Sequence, residues 1–149
     1  MYINIKKKIF AEEYLSDDMG IYKIDCYNGK PKFIRAYKKI PKQNYKIGNI
    51  YDLNWKLTDI ETGLRSIKRD PNITFKKPKR LKKMLEYSKK LSKEFAFVRV
   101  DFYIHNNKIY LSELTFTTSN IKMPYRDKEQ SIYLGKFLDI TKIKNISYI

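Results

Sequence analysis

The stretch Arg99-Val100-Asp101-Phe102-Tyr103-Ile104-His105-Asn106-Asn107-Lys108-Ile109-Tyr110-Leu111-Ser112-Glu113-Leu114-Thr115-Phe116 decides the fold class. Its alternation predicts two strands, over 95–104 and 109–116, joined by the turn-prone His105-Asn106-Asn107-Lys108. On the first strand Val98, Val100, Phe102 and Ile104 share one face, and Arg99, Asp101 and Tyr103 share the other. A two-residue turn at Asn106-Asn107 with a regular ladder pairs Asp101 with Ser112 and drops Glu113 among the valines, where a carboxylate is severely desolvated. Slipping by one residue sets Asp101 opposite Glu113 and Arg99 opposite Thr115, with Leu114 and Phe116 on the core side. The spacing therefore predicts an odd-membered loop or a bulge at the turn.

Two carboxylates facing each other across a strand pair repel unless a cation or a proton lies between them. Oxygen-only ligands suit a hard divalent ion, and magnesium held by one or two carboxylates completes its shell with water and phosphate oxygens. Arg99, on the same face, has the planar fork that grips a phosphoryl group. The arrangement fits a nucleoside triphosphate site. It also fits a plain ion pair, with Arg99 bridging two acids on a solvated face.

Working outward, residues 3–15 alternate well enough to predict a strand ending at Ser16-Asp17-Asp18. Strands over 21–27 and 32–37 flank Asn28-Gly29-Lys30-Pro31, where Asn-Gly supplies the positive φ angles of a tight hairpin. Residues 38–77 sustain no period and contain Pro41, Gly48, Trp55, Gly63 and Pro71; so long a stretch is expected to be functional or to hide short elements. After Pro78, Leu81, Met84, Leu85, Ser88, Leu91 and Phe95 recur at helical spacing, with lysines on the other faces. Asp127-Lys128-Glu129-Gln130 has capping-box spacing, Asp127 accepting from the Gln130 amide and Gln130 reaching back, and predicts a short helix over 128–138. The expectation is an α+β fold, a largely antiparallel sheet with flanking helices, in one domain over residues 1–149.

The chain has 149 residues, 42% of them hydrophobic, enough for one packed domain. Its 32 Lys and Arg against 16 Asp and Glu give +16, which excludes an acidic mimic and makes phosphates, nucleic acids or anionic lipids plausible partners without choosing among them. The lysines run along the whole length, as AT-biased coding also produces. A single cysteine, Cys26, excludes an intramolecular disulfide and suits a reducing, cytoplasmic compartment, where it reads as a packing residue. No apolar run is long enough to span a bilayer. His105, at a turn, reads as solvated rather than catalytic.

Arg99-Val100-Asp101 followed by Glu113-Leu114-Thr115 resembles the Arg-x-Asp and Glu-x-Asn/Thr metal signature of ATP-grasp enzymes, and more closely the TupA-like ATP-grasp family of cell-surface polysaccharide biosynthesis. The resemblance extends from residue 8 to 140. Lys8-Ile9-Phe10-Ala11-Glu12-Glu13-Tyr14-Leu15 is similar to the adenine-hinge strand, and Tyr22-Lys23 with Cys26-Tyr27-Asn28-Gly29-Lys30-Pro31 to the following hairpin. Tyr51-Asp52-Leu53-Asn54-Trp55 is similar to an aromatic-acidic landmark, and Lys77-Pro78-Lys79-Arg80-Leu81 with Met84 to the start of a long helix. By that resemblance the domain divides into a hinge strand and hairpin over 1–38, an irregular insertion over 39–77, and a helix, metal-binding strand pair and short helix over 78–140.

The resemblance implies that Asp101, Glu113 and Thr115 bind magnesium, that Arg99 stabilises the phosphoryl group in flight, that adenine lies against Glu12, Glu13, Tyr14 and Leu15, and that Lys23 points toward nucleotide or substrate. It implies ATP-dependent carboxylate–amine ligation, with ATP and magnesium required and the acceptor an unidentified carboxylate or polysaccharide-linked group. Only the C-terminal part of the family's length is represented, without the lid that covers the phosphates. A fragment, or a second chain that completes the site, is therefore expected, and independent activity is not. Two other readings stay open: a basic module binding nucleic acid or anionic polymer, with Tyr45, Tyr51 and Trp55 as stacking platforms, and an inactive scaffold.

Overall fold

The computed structural model describes residues 6, 8–9, 11–15, 20–117 and 124–142. Its frame is a six-stranded sheet formed by β1 (Gly20–Tyr27), β2 (Lys30–Lys39), β3 (Lys46–Tyr51), β4 (Ile67–Lys68), β5 (Phe97–His105) and β6 (Lys108–Thr115), in the order β4-β3-β2-β1-β5-β6. Every pairing is antiparallel except the short β3–β4 one. Helix α1 (Leu81–Leu91) lies between β4 and β5 in sequence, and α2 (Lys128–Gly135) follows β6. The α+β class read from the alternation is the one observed.

Period-2 patterning sends alternate residues to two separate cores. Ile24, Cys26, Ile34, Ala36, Val98, Val100 and Phe102 pack beneath α1 through Leu81 and Met84, joined by Tyr51. On the other face Tyr27, Phe33, Ile50 and Ile60 meet Leu134 of α2, with Phe97 and Phe137 at the margin. Met84 is fully buried, so truncation to alanine costs about 2–5 kcal/mol.

Both hairpins close with two-residue turns in which each residue has positive φ: Asn28 (47°) and Gly29 (74°), then Asn106 (47°) and Asn107 (59°). The first turn is therefore Asn28-Gly29 alone. Lys30 already belongs to β2, and Pro31, which has no N–H to give a ladder, sits at a bulge opposite Cys26. In the second hairpin the ladder runs regularly from His105↔Lys108 to Phe102↔Leu111, then shifts, so that Asp101 faces Glu113 and Arg99 faces Thr115. The expected register holds, but the bulge lies at Ser112, midway along β6, instead of at the turn. It moves Leu114 to the core face while the turn keeps its favoured two-residue geometry.

Other expectations need correction. Residues 11–15 form no strand, and Ile9 is fully exposed. Among the described residues the sheet ends at β6, whose bulge breaks the regular row of N–H and C=O groups that another strand would need. The expected boundary at Ser16-Asp17-Asp18 lies outside the described residues. Phe116 does not join the valines: it is half-exposed past the end of β6, edge-on to Phe95 at 4.8 Å. Phe95 in turn lies beyond α1, which ends at Leu91. Asp127 does accept from the Gln130 backbone N–H at 2.8 Å, but the Gln130 side chain donates to Asp59 O and accepts from Glu61 N, tying α2 to the 59–61 segment. Helix α2 stops at Gly135 because its last turn tightens, Phe137 N–H donating to Leu134 O and Leu138 N–H to Gly135 O.

Residues 38–77 conceal β3 and β4. β3 shows no alternation because five of its six residues are buried. Asn49 is fully enclosed, its amide donating to Asp70 O and Ile73 O and accepting from Asp70 N, and so it pins the long connection to the sheet.

Candidate functional site

The polar face of the sheet carries charged residues in two neighbouring rungs. Across one rung Arg35, Lys23, Asp101 and Glu113 stand on β2, β1, β5 and β6; across the next are Phe33, Asp25, Arg99 and Thr115. The rungs are set by apolar residues one position along each strand, which hold the opposite face against α1.

Arg99 is the hub. Its Nε and Nη2 donate to Asp101 Oδ1 and Oδ2, each at 2.7 Å, and Nη2 also reaches Glu113 Oε1 at 2.9 Å and Thr115 Oγ1 at 3.0 Å. Thr115 Oγ1 donates to Glu113 Oε1 at 3.0 Å. Lys23 Nζ approaches from β1, 2.6 Å from Asp101 Oδ2 and 4.0 Å from Glu113 Oε1. Asp101 is 2% exposed. Burial alone raises a carboxyl's pKa, but hydrogen bonds from Arg99 and Lys23 outweigh it and hold Asp101 below the ordinary carboxylate value. Burial lowers the Arg99 pKa, and the Asp101 carboxylate more than restores it. Both groups are fully charged near neutral pH.

Beside this cluster lies a cleft of about 620 Å³, lined by Glu12, Glu13, Tyr14 and Leu15 on one side and by Tyr103, Tyr110, Leu111 and Ser112 on the other. Tyr103 is two residues from Asp101 on the same strand face, and Ser112 adjoins Glu113. The nine residues to which the resemblance gave a role in binding or catalysis thus fall into two adjoining groups: Lys23, Arg99, Asp101, Glu113 and Thr115 in the charged cluster, and Glu12, Glu13, Tyr14 and Leu15 along the cleft. The contribution of Tyr103 and Tyr110 was missed, although Tyr103 shares a face with Asp101. The contact of Lys23 with Asp101 was missed too, because it depends on the β1–β5 pairing between residues 78 apart in sequence.

Two carboxylates and a hydroxyl, all hard oxygen donors, fit magnesium when water and phosphate supply its remaining ligands. Among the described residues no group of three or more His, Cys, Asp or Glu is placed to hold a metal ion. The other singled-out residues are structural. Asp52 Oδ1 accepts from Asn54 N and Lys56 N, and Trp55 stacks on Tyr51 at 4.4 Å and donates to Phe75 O. Burial pushes the Cys26 thiol up to about 12, which keeps it protonated and inert. His105 Nε2 lies 3.1 Å from the Asn106 amide at the hairpin end. Among the described residues no helix is long and apolar enough to cross a membrane.

A family model described as TupA-like ATPgrasp matches residues 1–139. No curated protein and no solved structure matches the chain. With an acidic rung bridged by an arginine, a cleft alongside it and a family match over nearly the whole length, the chain belongs to the TupA-like ATP-grasp family.

Proposed function

We propose that the chain binds ATP with magnesium and serves ATP-dependent carboxylate–amine ligation in cell-surface polysaccharide biosynthesis, in a cytoplasmic setting. The observation that carries this reading is the Asp101–Glu113 rung, bridged by Arg99 and opening beside the cleft of residues 12–15. Asp101, Glu113 and Thr115 would hold magnesium, whose charge neutralises the phosphate oxygens when it is bound. Arg99 grips the phosphoryl group as it passes to an acceptor carboxylate, and the adenine lies between Glu12, Glu13, Tyr14 and Leu15 on one side and Tyr103 and Tyr110 on the other. Lys23 adds a positive charge toward the phosphates. Such transfer rests on positioning and charge neutralisation, so the site needs no side-chain nucleophile.

The polymer-binding reading loses two of its three stacking platforms. Tyr51 is buried, and Trp55, partly buried at the edge of the core, stacks on it.

Calorimetric titration with a non-hydrolysable ATP analogue tests the proposal. Binding that requires magnesium and disappears in the Asp101→Asn/Glu113→Gln double variant is expected. Absence of binding by the unaltered chain, with or without magnesium, would overturn it.

A further inference from the structure

The two oxygens best placed to share a divalent ion, Asp101 Oδ2 and Glu113 Oε1, each face two cations already. Arg99 Nη2 donates to both, at 2.7 and 2.9 Å, and Lys23 Nζ lies 2.6 Å from the first and 4.0 Å from the second. The cations are held unequally. The guanidinium is fixed by bonds to Asp101, Glu113 and Thr115, and its side chain is 10% exposed. The Lys23 side chain is 25% exposed and, among the described residues, makes one hydrogen bond, to Asp101. The four groups Lys23, Arg99, Asp101 and Glu113 sum to no net charge, so a bare divalent ion meets little attraction there. With no third acid grouped beside them among the described residues, the site offers no independent means of capturing one.

We infer that Lys23 is a built-in counter-ion that competes with the divalent metal for the Asp101–Glu113 pair and leaves it when phosphate oxygens arrive. The inference rests on the ATP-and-magnesium reading above and adds to it the order of events. Triphosphate draws the Lys23 ammonium off Asp101, the freed carboxylate oxygens accept the metal, and the metal strengthens the hold on the triphosphate. Metal and nucleotide then bind with positive coupling, reciprocal by thermodynamic necessity, and the coupling passes through one side chain. In the nucleotide-free state the carboxylates stay compensated, and the pair need not remain open as an unpaired acidic patch.

The test uses the full chain and Mn²⁺ as a spin probe for the divalent ion, with free Mn²⁺ read by electron paramagnetic resonance. Lys23→Met keeps the apolar stem and removes the charge, and without nucleotide it is expected to bind Mn²⁺ at least about tenfold more tightly than the unaltered chain. Lys23→Gln is expected to do the same and serves if the methionine variant does not fold. Adding Asp101→Asn to either variant is expected to abolish the gain. In the unaltered chain, Mn²⁺ is expected to bind far more tightly with the non-hydrolysable ATP analogue than without it. The inference is overturned if neither Lys23 variant gains affinity, if the gain survives Asp101→Asn, or if the analogue binds in magnesium and yet the unaltered chain binds bare Mn²⁺ as tightly as it does with the analogue. Failure of the analogue to bind any form in magnesium overturns the ATP reading instead, because the competition between Lys23 and bare Mn²⁺ is read without nucleotide.

Discussion

Two acid–base pairs, Arg35–Asp25 and Arg99–Asp101, span the same two rungs on one face of the sheet and have opposite surroundings. Arg35 Nε donates to Asp25 Oδ2 at 2.8 Å with side chains 1% and 3% exposed, beneath the aromatic cluster of Tyr27, Phe33 and Phe137. Asp101 is as deeply placed, but its cluster opens outward through Lys23 and through Glu113, whose side chain is 55% exposed. Among the described residues Asp25 Oδ1 and Arg35 Nη1 have no hydrogen-bond partner, whereas every oxygen of Asp101 is bonded. A sealed pair cannot exchange its partner for a ligand, and an open one can. The same residue chemistry therefore gives a structural strut in one place and a candidate binding site in the next.

The sharpest break of this contrast is Arg35→Met. It leaves Asp25 buried without its cation and is expected to lower stability by about 3–5 kcal/mol, read as a shift in the urea midpoint. Asp101→Asn is expected to cost less, roughly 1–3 kcal/mol, because Arg99 keeps Glu113 and Thr115. Its larger consequence is a loss of magnesium-dependent nucleotide affinity of at least about tenfold, measured by calorimetry. If Asp101→Asn matches Arg35→Met in stability and leaves binding untouched, both pairs are struts.

Acid probes the open cluster. The Asp101 pKa lies below its ordinary 3.8 in the folded chain, so its stabilisation is fully present above that pH and is lost as pH falls through the folded value. Urea midpoints followed downward from neutral pH should drop on this limb, and Asp101→Asn should remove that share of the drop. The smallest effect is expected for Lys23 with Glu113, at 4.0 Å and partly exposed. A double-mutant cycle should give a coupling under about 1 kcal/mol, vanishing in molar salt, where the screening length is about 3 Å. A coupling that survives high salt would show that this edge of the cluster is as closed as Arg35–Asp25.

The charged rung was legible in the sequence because burying Glu113 is so costly that only one register survives. The hairpin at Asn28-Gly29 was legible because few residue pairs tolerate two successive positive φ angles. β3 was hidden, since Gly48 and Asn49 resemble turn residues and burial on both faces erases alternation. Residues 11–15, within the strand expected over residues 3–15, form none, because periodicity describes a segment's faces and says nothing of whether a neighbour offers a ladder. Lys23 was singled out only by resemblance. Its contact with Asp101 belongs to the pairing of distant strands, which no local pattern encodes.

The extra residue at Ser112 makes β6 a strand with two phases. Positions before it count from the turn, and positions after it count from the acidic rung, so the loop can be exchanged for another of equal length without disturbing Glu113 or Thr115. Pairing Ser112 regularly with Asp101 would merge the phases, swinging Leu114 into water and the glutamate toward Val100, and the hairpin would survive as a shape that had forgotten its chemistry.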